Sequence, residues 1–248
     1  MLIVERQKQL LAVLTDQTSA SLEALAAALG VSASTVRRDV ESLEREGLVT
    51  KTHGGVILRG GGVPVAVMRG RMAEHSGAKR AIGEAAGRLV QPGMTLYVGG
   101  GSTVQYALER MEARPLQVVT NALSVANHFA ADERVELVMP GGTHGGRTGV
   151  LMGTMATRAL AGLHMDLMLF SCTGIFEGAV FESNLGIAEL EQVAIRQSAR
   201  RVLLADAGKF GKRGLARVCG VEEVETVLTD GAIGPDWRDV LVGRLMVV

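Results

Sequence analysis

Six times between Met94 and Leu228 an apolar run of four or five residues gives way to a loop of glycine or small polar residues. The runs are Met94–Val98, Leu116–Val119, Val135–Met139, Asp166–Phe170, Val202–Ala205 and Val224–Leu228, with helix-forming sequence between them. Short runs without strict alternation are the pattern of strands buried on both faces, and such strands are joined by helical crossovers. The pattern predicts an α/β body with a mostly parallel sheet and helices on both sides. In sheets of that kind ligands bind beyond the carboxyl ends of the strands, where these loops lie.

The loops supply the candidate ligand-binding residues. Gly99-Gly100-Gly101-Ser102-Thr103 opens a helix. Glycines let backbone approach closely, first-turn amides are free donors, and the helix dipole favours an anion, so Gly100, Gly101, Ser102 and Thr103 suit a phosphate. The run matches neither the dinucleotide fingerprint nor the P-loop, which disfavours a dinucleotide or Mg-ATP. Thr120-Asn121 and Gly141-Gly142 lie at two further strand ends, and Lys209 follows a strand within Asp-Ala-Gly-Lys-Phe-Gly. A lysine there can hold an anionic oxygen as a point charge. Each of these also has a plain reading, as a tight turn, a helix cap or a surface lysine.

The first 58 residues are of another kind. Ile3, Leu10, Leu11 and Leu14 recur at helical spacing, and Leu22, Leu25, Ala26 and Leu29 form a second stripe that Gly30 stops. Ser32 is placed to cap a third helix whose core face is Val36, Val40 and Leu43. Ser34, Thr35, Arg37 and Arg38 fall off that face, near the end that enters the major groove in a helix-turn-helix. Leu48–His53 then alternates, turns at Gly54-Gly55 and continues into Val56–Leu58, a two-stranded wing on which Lys51 and His53 can touch phosphates. The DNA candidates are therefore Ser32, Ser34, Thr35, Arg37, Arg38, Lys51 and His53. The competing reading is a solvated helix face on which Arg37, Arg38, Asp39, Glu41, Glu44, Arg45 and Glu46 pair with one another.

Composition narrows the rest. Lys and Arg number 26, balanced by 26 Asp and Glu, so DNA affinity has to come from local placement of cations. Cys172 and Cys219 form no C-x-x-C or Cys/His cluster, which argues against a disulfide framework or structural zinc and fits a reducing cytoplasm. No membrane-spanning run or secretory leader is read, and no cofactor is expected. The expected boundaries are a DNA-binding domain at 1–58, a glycine-rich linker at 59–75 and a sensing domain at 76–248. The linker reads equally as a flexible tether or as a signal-transmitting hinge.

Val31, Ser32, Thr35, Val36, Arg37, Arg38, Asp39, Val40, Leu43, Gly47, His53, Gly54 and Gly55 match the N-terminal signature of the DeoR family of bacterial transcription regulators, which this chain resembles along its whole length. In the body the resemblance is carried by GGGST, Thr120-Asn121, Gly141-Gly142, Gly153, Asp166, Gly174, LLADAGKFG and the terminal LTD. It implies a winged helix-turn-helix ahead of an effector domain similar to ribose-5-phosphate isomerase, a structural Asp39 orienting an arginine or the wing, and an allosteric site for a phosphorylated sugar. Two departures remove charge the family often carries: Gly99 replaces an acid before the turn, and Val193 and Ala194 stand near Glu191 where a lysine is common.

The reading is a regulator, in the first instance a repressor of a sugar operon, binding double-stranded operator DNA as a homodimer or homotetramer. The alternative is a sugar-phosphate isomerase or deaminase carrying an added head. It is disfavoured because Gly99 removes an acid and the nearby loops offer no second one.

Overall fold

The computed structural model describes residues 3–17, 19–45, 49–52, 55–58, 71–146 and 148–248. The predicted His53, Gly47, Gly54 and the linker stretch 59–70 lie outside them. The chain divides into two compact units, one of Met1–Glu74 with Gly146–Thr148 and the other of His75–Gly145 with Gly149–Val248.

In the first unit α1 (Ile3–Gln17), α2 (Leu22–Leu29) and α3 (Ala33–Arg45) surround one core of Leu10, Leu14, Leu25, Leu29, Val36, Val40 and Leu43. The ends of α2 are set locally. Ser21 Oγ accepts the Ala24 amide at 3.1 Å, and Gly30 takes the left-handed conformation, φ 65°, that closes the helix. Ile3, expected in the apolar stripe of α1, is 61% exposed. The wing is larger than expected, because β1 (Ser19–Ala20) joins β2 (Val49–Thr52) and β3 (Gly55–Leu58) in the order β1-β3-β2. Two residues are too few for alternation to show, so sequence pattern alone does not reveal β1.

The second unit is built on seven parallel strands in the order β15-β14-β12-β9-β4-β5-β6. They are β4 (Thr95–Val98), β5 (Leu116–Val119), β6 (Val135–Val138), β9 (Met165–Phe170), β12 (Ser198–Leu204), β14 (Thr226–Thr229) and β15 (Leu245–Val247). Alternate residues fill two cores, which is why the runs are continuously apolar. Leu96, Val98, Leu167 and Leu169 face α4 (Ser76–Gly87), α5 (Ser102–Leu108) and α6 (Leu123–Phe129). Tyr97, Met168, Phe170 and Leu203 face α7 (Thr154–Ala161) and α8 (Leu185–Gln197). A short helix α9 (Pro235–Val240) precedes β15.

Antiparallel insertions decorate this sheet and were not foreseen. One is the hairpin of β7 (Thr143–Gly145) and β8 (Val150–Met152), and the other the sheet of β10 (Gly174–Phe176), β11 (Ala179–Glu182) and β13 (Ala216–Gly220). The strand order turns at β4. From there the chain builds outward through β5 and β6, then returns to place β9 on the other side of β4. The loops leaving β4 and β9 thus diverge and open the crevice where open α/β sheets bind ligands.

Candidate functional site

On the first unit, the N-terminal turn of α3 gathers the predicted hydroxyls. Ser32 Oγ lies 2.9 Å from Ser34 Oγ and 2.8 Å from Thr35 Oγ1, and it accepts the Thr35 amide at 3.2 Å. The acids of α3 are engaged away from its arginines. Asp39, 4% exposed, takes both oxygens to Arg6 of α1, with Nη2 donating to Oδ1 at 3.0 Å. Glu41 and Glu44 hold Lys51 Nζ at 3.2 and 3.6 Å, and Arg45 turns back to the Glu41 carbonyl. Arg37 and Arg38 are exposed and make no ion pair or hydrogen bond with any described residue. Among the described residues, which do not include Glu46, no mutual pairing of the helix face reaches these two positions. Asp39 does orient an arginine, Arg6. Lys51 is exposed, but its charge is shared with two glutamates.

On the second unit, Gly101 adopts φ 145°, and a Cβ there would stand 3.1 Å from Ser171 Cβ in the loop after β9. Glycine is required for the two loops to approach across the crevice. Ser102 and Thr103 follow, both buried, and Thr103 Oγ1 has no hydrogen-bond partner. Thr120 and Asn121 play another part. Thr120 Oγ1 donates to the Val98 carbonyl at 2.7 Å and accepts the Ala122 amide. Asn121 Oδ1 accepts from the Tyr97 hydroxyl at 3.1 Å while Nδ2 donates to the Leu151 carbonyl at 3.0 Å. Their polar atoms knit the ends of β4, β5 and β8 together instead of pointing at open space. Gly142, φ 109°, is needed by the β7–β8 hairpin, since a Cβ would lie 2.6 Å from the Met152 carbonyl oxygen.

Lys209 ends a single 3-10 turn, Ala207–Lys209, held from both sides. Asp206 Oδ1 accepts the Gly208 amide at 3.1 Å, and Asp230 of the LTD segment accepts the Ala207 amide at 2.7 Å. The ammonium stands near enough to Cys172, just after β9, to oppose the strong upward push that burial gives that thiol. Lys209 and the Gly101–Thr103 turn thus belong to loops of the same rim, whereas Gly141 and Gly142 follow the edge strand β6.

Several rim residues escaped sequence reasoning. Ser171 donates to the Leu204 carbonyl at 2.9 Å and ties the β9 and β12 ends. Glu182 Oε2, on β11, accepts from Thr173 Oγ1 at 3.0 Å. Glu191 on α8 is buried, and burial together with the nearby Glu182 carboxylate pushes its carboxyl well above the usual range. Val193 and Ala194, by contrast, pack in the core. The rim, expected to hold no second acid, in fact has three near it, since Glu182, Glu191 and Asp206 all lie close to Cys172. Among the described residues four buried side-chain atoms lack a partner: Thr103 Oγ1, Glu191 Oε2, Asp206 Oδ2 and Thr229 Oγ1. All four belong to the second unit, and Thr103, Asp206 and Thr229 stand at the carboxyl ends of β4, β12 and β14. Unsatisfied buried polar atoms are rare in folded proteins, and three of these four gather at the strand ends where open α/β sheets bind ligands. A separate cleft, bordered by Gln117, Glu133, Arg134 and Glu136, opens at the opposite strand ends, but there Arg134 pairs with Asp132 and Gln117 with Glu136. Among the described residues no His/Cys/Asp/Glu group could hold a metal ion, and no helix is long and apolar enough to cross a membrane.

Comparison with known proteins matches both units. Residues 6–59 fit the DeoR-like helix-turn-helix domain, and residues 74–231 fit the DeoR C terminal sensor domain. The chain is 29% identical over 231 residues to the L-fucose operon activator of Escherichia coli, covering 91% of this chain and 94% of that protein. It is 32% identical over 207 residues to the lactose phosphotransferase system repressor of Staphylococcus epidermidis, covering 82% of each. Among solved structures, ribose 5-phosphate isomerase A of Methanocaldococcus jannaschii matches 53% of each chain at 16% identity with a TM-score of 0.39.

Proposed function

The chain belongs to the DeoR family of DNA-binding transcriptional regulators, and we propose that it controls a sugar operon, in the first instance as a repressor, in response to a phosphorylated sugar. The observation that carries the reading is the pairing of two surfaces in one chain: α3 arginines without an acid among the described residues, and buried polar atoms without partners on the sensor rim. Arg37 and Arg38 offer forked donors for guanine edges or phosphates, and Ser32, Ser34 and Thr35 offer hydroxyls to the DNA backbone. Lys51 exchanges its glutamates for a phosphate.

On the rim, Gly100 and Gly101 admit the ligand phosphate, Ser102 and Thr103 donate to it, and Lys209 neutralises it. Thr120 and Asn121 act as positioning residues, as Gly141 and Gly142 do by shaping the loop that flanks them. His75, at the start of the sensor unit, rests on Gly208 of the Lys209 turn, with its Nε2 3.2 Å from where a Cβ would be. A ligand gripping Lys209 thereby pushes on the residue through which the chain arrives from the head. Binding shifts the population of arrangements that fit the operator. The working species is a homodimer or homotetramer in the cytoplasm, reading a two-fold operator without turning its ligand over.

The test is a thermal-shift panel of pentose and hexose phosphates on the whole protein, followed by operator binding with the strongest stabiliser. A ligand that binds only the folded form raises its melting temperature. Expected is at least one sugar phosphate that both raises the melting temperature and changes operator affinity. Turnover of any panel member would replace the regulator reading of the rim by the enzymatic one.

A further inference from the structure

One charged side chain at the crevice is accounted for by nothing in the fold. Glu191 lies in mid-α8 with 3% of its surface exposed, and its Oε2 is buried without a donor. Its helix neighbours Leu190, Val193 and Ala194 are core residues, so an apolar side chain would serve packing better. The surroundings fix its place. The Tyr97 hydroxyl on β4 and the Cys172 thiol just after β9 both lie close to its carboxyl, so Glu191 comes down onto the strand pair that flanks the crevice.

The groups around it are already engaged: Tyr97 donates to Asn121, and Glu182 accepts from Thr173 and from the Ser183 amide. Burial and the neighbouring Glu182 carboxylate both favour the protonated form of this carboxyl. It then carries one O–H to donate and one carbonyl oxygen to accept with. Phosphate needs only donors. A hydroxyl or carbonyl on a sugar carbon needs both.

We propose that Glu191 is the specificity-determining residue for the carbon-chain end of the effector, its buried carboxyl hydrogen-bonding a hydroxyl or carbonyl oxygen of a neutral polyol phosphate held by Gly101–Thr103. The proposal rests on the reading of the rim as an effector site. It predicts discrimination against amino sugars, whose ammonium has no lone pair to accept the acid proton.

The test uses the full chain with Glu191→Gln and Glu191→Met, titrated with inorganic phosphate, ribose 5-phosphate, fructose 6-phosphate, glucose 6-phosphate and glucosamine 6-phosphate. Glu191→Gln, which keeps a donor and an acceptor, should bind the best neutral sugar phosphate within about fivefold of the natural protein, while Glu191→Met should lose about 10- to 100-fold. Inorganic phosphate should bind all three alike. Unliganded Glu191→Met should melt higher than the natural protein, because its apolar side chain removes a buried group that lacks a partner.

Unchanged sugar-phosphate affinity in Glu191→Met would overturn the proposal while leaving the effector site standing. Glucosamine 6-phosphate as the strongest ligand, lost in both variants, would overturn it in favour of an ionised, cation-holding Glu191. If no sugar phosphate binds the natural protein better than inorganic phosphate does, the reading of the rim itself fails. Should Glu191→Met not fold, deoxy analogues of the best ligand decide. One position must then cost the natural protein about 10-fold or more, with that penalty altered in Glu191→Gln, and absence of such a position would overturn the proposal.

Discussion

The two surfaces proposed to bind are opposites in construction. On α3 the reading groups are exposed, adjacent in sequence and carried by one helix, whereas the sensor rim is buried and assembled from the ends of β4, β9, β12 and β14 with a side chain from α8. A macromolecular partner such as DNA has to be met from outside, so the groups that meet it can lie on a convex surface and keep water until contact. A small metabolite is enclosed, so the polar groups that hold it line a largely pre-formed, concave site. The first kind of site is recognised by cations without acids, the second by buried polar atoms without partners.

That contrast can be broken, most strongly at Arg37. Arg37→Ala should weaken binding to a DNA sequence selected from a random library by about 5- to 150-fold, the range of one bidentate base contact, with a far smaller loss on random DNA. Anisotropy titrations on both DNAs check it, and equal losses would reduce Arg37 to a phosphate contact. On the rim, Gly101→Val has to bear a left-handed backbone and a close approach to Ser171. It should lose about 1–3 kcal/mol of stability and all stabilisation by sugar phosphates, while the affinity for selected DNA stays that of the unliganded protein. Retained ligand stabilisation would show that the ligand does not use this turn.

Asp39→Ala should destabilise the head, because it leaves the guanidinium of Arg6 without its buried partner. The loss should fall on the head, seen as faster amide exchange in α1 and α3 with unchanged exchange in the sheet of the sensor. The smallest effect is expected at Lys51, whose pairs with Glu41 and Glu44 are exposed. Lys51→Ala should shift stability by less than about 0.5 kcal/mol and lower the slope of log affinity against log salt by about one. An unaltered slope would mean that the lysine stays with its glutamates.

Most of the head was legible in the chain itself, because its signals are short-range. Ser21, Gly30 and Ser32 act within three or four residues, and the stripe Val36, Val40 and Leu43 is a property of one helix. The parallel strands were legible for a related reason: a strand buried on both faces is apolar throughout, and β5 has the limits its run of residues predicts. What escaped was whatever depends on a distant partner. β1 is a strand only because Ser19 and Ala20 meet Ile57 and Val56.

The same division runs through the candidate sites. Arg37 and Arg38 were named from the sequence, but only the destinations of Asp39, Glu41 and Glu44 leave them without an acid among the described residues. Gly101 to Thr103 and Lys209 were named as loop residues, but only the strand order, with β9 between β4 and β12, brings loops 106 residues apart (209 − 103) to one rim. From the sequence Glu191 is only the neighbour of Val193 and Ala194, and only the packing of α8 against the sheet buries it with Oε2 unpartnered and its carboxyl pushed upward. Local order along the chain is enough to specify which helices and strands form. Solvation and pairing are sums over neighbours that the chain brings together only on folding, so the state of each charged side chain is decided by the tertiary structure.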